Sequence, residues 1–229
     1  MPTVILVRHG RTAANADGIL AGRSPGVVLD ETGEAQADSV GVRLANVPLT
    51  AIISSPLERT RQTAEAIRAS QVSRRSPDIS IDDRLAECDY GEWTGQPLKS
   101  LAKKSLWKQV QGHPSSVTFP GGESMTAMQT RATSAVREWN DALGEKAIYV
   151  VVSHGDVIKA ILADALAMHL DQFQRLAVDP CSVSIVRYTK LRPFVLRSND
   201  SGADLGFLAR KTRKATSSDA AVGGGAGHG

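Results

Sequence analysis

The chain has few cysteines: its 229 residues include only Cys88 and Cys181, which stand far apart and in no C-x-x-C pattern. A disulfide framework needs several paired cysteines, and a structural zinc site needs about four clustered ligands. The sequence therefore favours neither kind of scaffold. Reduced thiols are typical of proteins of the cytoplasm, which is the location we expect.

Long apolar runs are also lacking. The N-terminal run Val4–Val7 is stopped at once by Arg8, and no basic flank precedes it. A secretory signal needs an apolar core of about 7–15 residues, and a membrane span needs about 20. The sequence therefore predicts no signal peptide, no transmembrane helix and no membrane partner.

An excess of charge is missing from most of the chain. The net charge of +3 arises within residues 210–229, where four basic residues stand against Asp219 alone. Residues 1–209 contain 23 basic and 23 acidic residues, which gives no basic surface bias for a nucleic-acid partner. Because it is rich in Ala, Gly and Ser, the stretch 210–229 is predicted to be a disordered tail with no part in activity.

Apolar patterns that are typical of strands and of helices alternate along the chain. Compact β-branched runs favour buried strands, and apolar residues every three or four positions favour helices. This alternation predicts an α/β fold, namely a three-layer α/β/α sandwich with a mainly parallel central sheet. The predicted strands are Thr3–Val7, Thr50–Ser54, Ile79–Asp82, Ala147–Val152, Ser182–Tyr188 and Phe194–Arg197; the predicted helices are Gly33–Val47, Pro56–Ser70, Ser124–Leu143 and Asp156–Met168, with one or two short polar helices in residues 95–112.

Reactive side chains follow three of the predicted strands. Arg8 and His9 come after the first strand, Arg59 comes after the second, and His154 comes after the strand that ends at Val152. In a parallel sheet, sites form in the loops at the carboxyl ends of strands, so we expect these groups to converge. Two arginines and two histidines at one place predict a pocket for a phosphoryl group, whose oxygens match the arginine fork.

The two histidines have other possible interpretations. A lone histidine after a strand is more often structural, and a pair of histidines can bind a metal ion. Glycine follows each of them, as Gly10 and Gly155, and lets a ligand approach the ring. A metal ion would need further ligands, but nothing acidic stands close to His9 in the sequence, and Arg8 would repel a cation. We therefore expect no metal and no other cofactor.

A phosphoryl-transfer site also needs an acid for the leaving group. The turn-rich segment Leu85–Gly95 offers Glu87, Asp89 and Glu92. Residue types and spacing do not distinguish among the three, and all of them could belong to a solvated loop.

Together these residues resemble the histidine phosphatase superfamily, in its phosphoglycerate mutase-like branch. The resemblance covers about residues 3 to 190, and its six motifs in the family's order are far more specific than one motif would be. The resemblance implies a single catalytic domain over residues 1–209, with a small helical cap inserted at about residues 95–123. The motifs are R-H-G-x-T-x-x-N in Arg8–Asn15, D-x-x-G-x-x-Q-A in Asp30–Ala37, S-S-x-x-x-R-x-x-x-T in Ser54–Thr63, E-x-x-x-G-x-W-x-G in Glu87–Gly95, P-G-G-E-S in Pro120–Ser124 and S-H-G in Ser153–Gly155.

The resemblance also implies a role for each site residue. His9 would be the nucleophile that forms a phosphohistidine, and Arg8, Arg59 and His154 would hold the phosphoryl oxygens. Glu87 would protonate the leaving oxygen and then deprotonate the attacking water. Because the phosphate charge raises the pKa of a nearby carboxyl, we expect an acid-to-neutral pH optimum. The remaining candidates for substrate binding are Asn15, Gly10, Gly155 and Tyr90.

Two departures from the glycolytic mutases favour a phosphatase. Those enzymes read E-R-H-Y-G after the acid, whereas this chain reads E-C-D-Y-G in Glu87–Gly91, and no Arg-Arg pair stands between Gly95 and Pro120. We therefore expect hydrolysis of a small phosphorylated metabolite. A phosphomutase using the same histidine and a non-catalytic phospho-ligand binding protein stay as alternatives, and a homo-oligomer is left open.

Overall fold

The central sheet has six strands. They are β1 (Thr3–Arg8), β2 (Ala51–Ser54), β3 (Ile79–Ile81), β4 (Ile148–Ser153), β5 (Val183–Tyr188) and β6 (Pro193–Asp200). The computed structural model describes residues 1–72, 76–202 and 222–225, and orders these strands β3-β2-β4-β1-β5-β6. Strands β1 to β4 run parallel, whereas β5 is antiparallel to β1 and β6 is antiparallel to β5.

Helices cover both faces of the sheet. Successive side chains of a strand point to opposite faces: Val4 and Leu6 of β1 pack on one side, and Ile5 and Val7 pack on the other. The first side is covered by α6 and α7 and the second by α2 and α3, which confirms the predicted three-layer α/β/α sandwich. The helices are α1 (Ala13–Ala16), α2 (Glu31–Leu44), α3 (Glu58–Ala69), α4 (Leu98–Leu101), α5 (Ser105–Gly112), α6 (Met125–Leu143) and α7 (Gly155–Ala165).

Helix starts follow the local capping chemistry. At the start of α6, the hydroxyl of Ser124 accepts a hydrogen bond from the backbone N–H of Ala127 and so caps the helix. Asp30 caps α2 in the same way by accepting from Gly33, so this helix begins two residues before the predicted start. One or two short helices were predicted in residues 95–112, and the structure has two there, α4 and α5.

Several predicted boundaries were wrong by a few residues; helix α2, for example, ends at Leu44 rather than Val47. Helix α3 begins at Glu58 rather than Pro56, because Leu57 has an extended backbone. Helix α7 ends at Ala165 rather than Met168, where Ala167 adopts a positive φ of 54° that no right-handed helix accepts. Strand β6 continues beyond Arg197 to Asp200 by pairing with Val183 of β5.

The predicted tail 210–229 lies outside the described residues, apart from residues 222–225. For those four residues the expectation of a disordered stretch is wrong, because Val222 is only 1% exposed and joins the hydrophobic cluster on the α6–α7 side. The structure therefore brings a piece of the C-terminal region back to the domain. In the part of the chain that is described, no helix has the length and apolar character to cross a membrane.

Candidate active site

The sheet itself brings the two histidines together. Arg8 of β1 is in register with Ser153 of β4, so the next residue of each strand, His9 and His154, leaves the same edge. The backbone N–H of His9 donates to the carbonyl of Ser153 (3.0 Å), and the two imidazole centroids are 5.3 Å apart. The predicted convergence at the carboxyl ends of the strands is therefore present.

His9 is held as a neutral ring whose Nε2 carries no proton. Its Nδ1 lies 2.7 Å from the carbonyl oxygen of Gly10, and because a carbonyl can only accept, Nδ1 carries the proton. Its Nε2 accepts from Nε of Arg59 (3.2 Å), so the lone pair is on Nε2. Burial, and then the charges of Arg59 and Arg8, hold the pKa of His9 well below its usual range, which keeps the ring neutral.

Arg59 joins both histidines. It lies in the first turn of α3, and its Nη2 donates to the carbonyl of Gly22 (2.8 Å) and faces Nδ1 of His154 (3.3 Å). Its Nη1 is buried and makes no hydrogen bond within the described residues. A buried charged donor of this kind fits an anionic ligand.

His154 is buried and anchored on its far side. Its Nε2 lies 2.7 Å from the hydroxyl of Ser55, which follows β2. Burial, and then the charge of Arg59, hold the pKa of His154 well below its usual range. Both imidazoles are therefore neutral, and the positive charge of the site lies on the arginines.

Beside the two histidines lies a cleft, which His9 and Arg59 line. Of the three acids in the turn-rich segment, the structure brings Glu87 to this cleft. Its side chain lines the cleft with His9 and Arg59, whereas Glu92 is exposed and Asp89 faces Arg23 near the surface. Burial raises the pKa of Glu87 to about 7, with a further contribution from the nearby Asp156. Glu87 therefore exchanges its proton near neutral pH, as a general acid and base must.

A family comparison decides the class of this site. Residues 4–201 match the model of the histidine phosphatase superfamily, branch 1. The chain belongs to this histidine phosphatase superfamily. A curated relative from Salmonella choleraesuis, "Probable phosphoglycerate mutase GpmB", is 34% identical over 190 residues, which are 82% of this chain and 86% of that protein.

Solved structures agree with this membership of the superfamily. YhfR from Bacillus stearothermophilus has a TM-score of 0.79 and 28% identity, over 87% of this chain and 98% of that chain. A phosphoserine phosphatase from Entamoeba histolytica has the same fold, with a TM-score of 0.78 and 23% identity over 87% and 98% of the two chains. The protein is thus an enzyme of the phosphatase and phosphomutase type.

The other predicted site residues lie at different depths in this histidine phosphatase site. Asn15 and Tyr90 line the cleft, and the amide oxygen of Asn15 accepts hydrogen bonds from the backbone N–H and the hydroxyl of Thr12. Gly10 and Gly155 do not line the cleft. Gly10 is required by packing instead, because a Cβ there would overlap the carbonyl oxygen of Gly33 in α2.

The arginine of the R-H-G motif is buried behind the cleft. Its Nη1 donates to the carbonyl of Val178 (2.8 Å), and its Nη2 donates to the carbonyls of Gly225 (2.6 Å) and Gly223 (3.4 Å). Within the described residues, Arg8 is not one of those that line the cleft, whereas Gly223 and Gly225 are. The predicted role of Arg8 on phosphoryl oxygens stays a prediction.

Metal ligands are a further question in a site with two histidines. Across residues 1–72, 76–202 and 222–225, the structure brings no three His, Cys, Asp or Glu side chains close enough together to hold a metal ion. The expectation of a metal-free reaction stays a prediction, which a chelator tests below.

Arg131 of α6 is a residue that the sequence analysis missed. Its Nη1 donates to the backbone carbonyls of Arg84 (2.6 Å) and Ala86 (2.7 Å). Its Nη2 donates to the backbone carbonyl of Glu87 (3.1 Å) and to the carboxylate of Glu123 (2.6 Å). One guanidinium thus fixes the backbone that carries the acid. Nothing in the sequence pattern separates it from an ordinary polar residue of an amphipathic helix.

We expect Arg131→Met to lower kcat by about tenfold to a hundredfold, because a small misplacement of a catalytic group has an effect of this size. KM should change little, since Arg131 does not touch the cleft. Steady-state kinetics on one ester measures both constants. Arg137→Met on the same helix, which removes only a surface pair with Asp164, is the control; equal losses in both variants would contradict the positioning role.

Asp156, in the first turn of α7, is a second residue that the sequence analysis missed. It is fully buried, and its Oδ2 accepts hydrogen bonds from the hydroxyl of Tyr90 (2.7 Å) and from the N–H of Gly223 (3.0 Å). The negative charge of Asp156 contributes to the raised pKa of Glu87, because a like charge disfavours ionisation.

We expect Asp156→Asn to lower the pKa of Glu87. The protonated acid would then be lost at lower pH, so the alkaline limb of the kcat/KM profile should move toward acid by about one unit. Tyr90→Phe removes the hydrogen bond but keeps the charge on Asp156, and should leave that limb in place. A pH profile of both variants checks this, and an unmoved limb in Asp156→Asn would refute it.

Proposed function

We propose that the protein hydrolyses phosphate monoesters of small metabolites by way of a phosphohistidine on His9, without a metal ion. The observation that supports this best is the neutral His9 ring, whose Nε2 faces the buried Arg59 in a cleft that Glu87 also lines. Nucleophile, anion binder and acid are thus together.

In the first step, the lone pair of His9 Nε2 attacks phosphorus. The Nε2–P bond forms as the ester P–O bond breaks, and protonated Glu87 gives its proton to the leaving oxygen. The charge that the equatorial oxygens carry in this step is stabilised by the buried Arg59 guanidinium, whose Nη1 donor is available to them.

In the second step, the Glu87 carboxylate takes a proton from a water molecule. The water oxygen bonds to phosphorus, the P–Nε2 bond breaks and phosphate leaves. Glu87 is protonated again and His9 returns to the neutral ring. A pKa of about 7 for Glu87 suits both roles, because the group must give up one proton and take another in each cycle.

A phosphoglycerate mutase is the second candidate, because the GpmB relatives carry that name. A mutase for such an acid must also bind a carboxylate, which calls for a placed cation. Among the described residues that line the cleft, Arg59 is the only Lys or Arg. The lysines of the cap region are exposed and do not line the cleft; they are Lys99, Lys103, Lys104 and Lys108. This favours hydrolysis of an ester that carries no second anion.

The test is a phosphatase screen over a panel of phosphorylated metabolites with a chelator present, and a phosphoglycerate mutase assay in parallel. We expect release of phosphate from at least one neutral-alcohol ester, and little mutase activity. Loss of turnover on chelation would contradict the metal-free reaction. Mutase turnover that exceeds every hydrolysis rate would favour the second candidate.

A further inference from the structure

A short piece of the C-terminal region, residues 222–225, lies against the active site. It is called the C-terminal segment below. Val222 is buried in the hydrophobic cluster that includes Leu20 and Tyr90, and Gly223 and Gly225 form part of the cleft wall. The segment also contacts α7. It is therefore docked in the domain rather than lying outside it.

The C-terminal segment accepts hydrogen bonds from the guanidinium of Arg8. Its carbonyl oxygens at Gly225 and Gly223 accept hydrogen bonds from Nη2 of Arg8 at 2.6 and 3.4 Å. These neutral oxygens stand where an anionic oxygen would be bound by the same guanidinium nitrogen. Arg8 is fully buried with the segment in place, and its Nη2 is bonded to the segment rather than directed at the cleft that His9 lines.

Two further contacts hold the C-terminal segment. The N–H of Gly223 donates to Oδ2 of the buried Asp156 (3.0 Å), and Val222 is removed from water. Gly223 has a positive φ of 73°, and a Cβ there would lie 3.0 Å from the side chain of Leu20. The docked form therefore depends on an apolar residue at 222 and on glycine at 223.

We propose that the C-terminal segment is an intrachain gate on the phosphoryl site, which an incoming phosphoryl group displaces from Arg8. This inference rests on the proposed function, because Arg8 can bind phosphoryl oxygens only if the site takes a phosphoryl group. A phosphoryl oxygen carries negative charge, so it gains a Coulomb attraction to the Arg8 guanidinium that a neutral carbonyl oxygen lacks. The phosphoryl group therefore competes for Arg8, and the segment returns when phosphate leaves.

A docked gate lowers the apparent affinity for phosphate. If the segment is docked nine-tenths of the time, the apparent Kd rises about tenfold, since only the open fraction binds. Two full-length variants should favour the open form: Val222→Asp places a charge at a buried position, and Gly223→Ala strains the docked backbone. Val72→Asp, at an exposed position, is the matched control.

The binding experiment titrates inorganic phosphate into each protein by calorimetry, and the KM for p-nitrophenyl phosphate is measured in parallel. We expect both constants to fall by about three- to tenfold in Val222→Asp and Gly223→Ala, and to stay unchanged in Val72→Asp. Equal binding in all proteins overturns the gate but not the proposed function. Weaker binding in the two variants overturns the gate as well, and makes the segment a permanent wall of the site.

Hydrogen exchange of the Gly223 amide tests displacement in the unaltered protein. The amide is bonded to Asp156, so it should be protected in the free enzyme and exchange faster when orthovanadate fills the site. Unchanged or greater protection with vanadate bound overturns the gate. Faster exchange together with tighter phosphate binding in the variants, but without hydrolysis of any ester, would support the gate and refute the hydrolase.

Discussion

Replacing His9 with alanine is expected to lower kcat/KM for any ester by about 10⁴-fold or more, because the covalent route is lost with its nucleophile. The phosphohistidine should also disappear. In the unaltered enzyme, acid-labile and alkali-stable phosphate should be trapped on the chain after a rapid quench, and none should be trapped on His9→Ala. Inorganic phosphate should still bind to the variant, since Arg59 and His154 are untouched.

His113→Ala is the matched control for this prediction. His113 ends α5, and its ring is mostly exposed beside Asp171, so the change should leave turnover and trapping as they are. Turnover that survives in His9→Ala would overturn the mechanism, and trapping on another residue would move the nucleophile elsewhere.

Replacing Glu87 with glutamine is expected to lower kcat for alkyl phosphates by about 10²- to 10⁴-fold, the usual contribution of a general acid and base. The alkaline limb of the wild-type profile should lie near pH 7, because the acid must be protonated and its pKa is raised to about 7. That limb should vanish in Glu87→Gln. A wild-type rate that climbs steadily to pH 9 would contradict this role.

The leaving group separates the two roles of Glu87. p-Nitrophenolate leaves without a proton, so Glu87→Gln should still show a rapid burst of p-nitrophenol, followed by slow hydrolysis of the phosphohistidine for want of a base. Stopped-flow absorbance measures both phases. Glu92→Gln, at the exposed acid of the same segment, is the control, and an equal loss there would refute the choice of Glu87.

Much of this site could be predicted from sequence because strong local patterns carry it. β-Branched runs locate the strands, and a parallel sheet gathers their carboxyl ends, so His9, Arg59 and His154 were placed together without coordinates. Residue types and spacing could not decide which of Glu87, Asp89 and Glu92 is the acid. They stand in a segment of turns with no periodicity, and only the fold decides which of them is buried.

Residues that act across the fold left no readable pattern. Arg131 is adjacent to the apolar stripe of α6, and helical spacing does not tell whether such an arginine faces water or a neighbouring loop. Composition was misleading at Val222, since a stretch rich in Ala, Gly and Ser cannot build a core of its own. It can still place one apolar residue into a core that the domain has already built.

The position of β4 has a consequence for synthesis of the protein on the ribosome. β1 and β2 do not pair with each other; each pairs with β4, whose residues 148–153 come nearly a hundred residues after β2. Until that strand emerges, the nascent chain carries two apolar strands with unpaired edges, a state that invites aggregation and chaperone binding. The nucleophile and Arg59 meet only when β4 inserts between their strands, so no N-terminal fragment that ends before it can hold a partial activity.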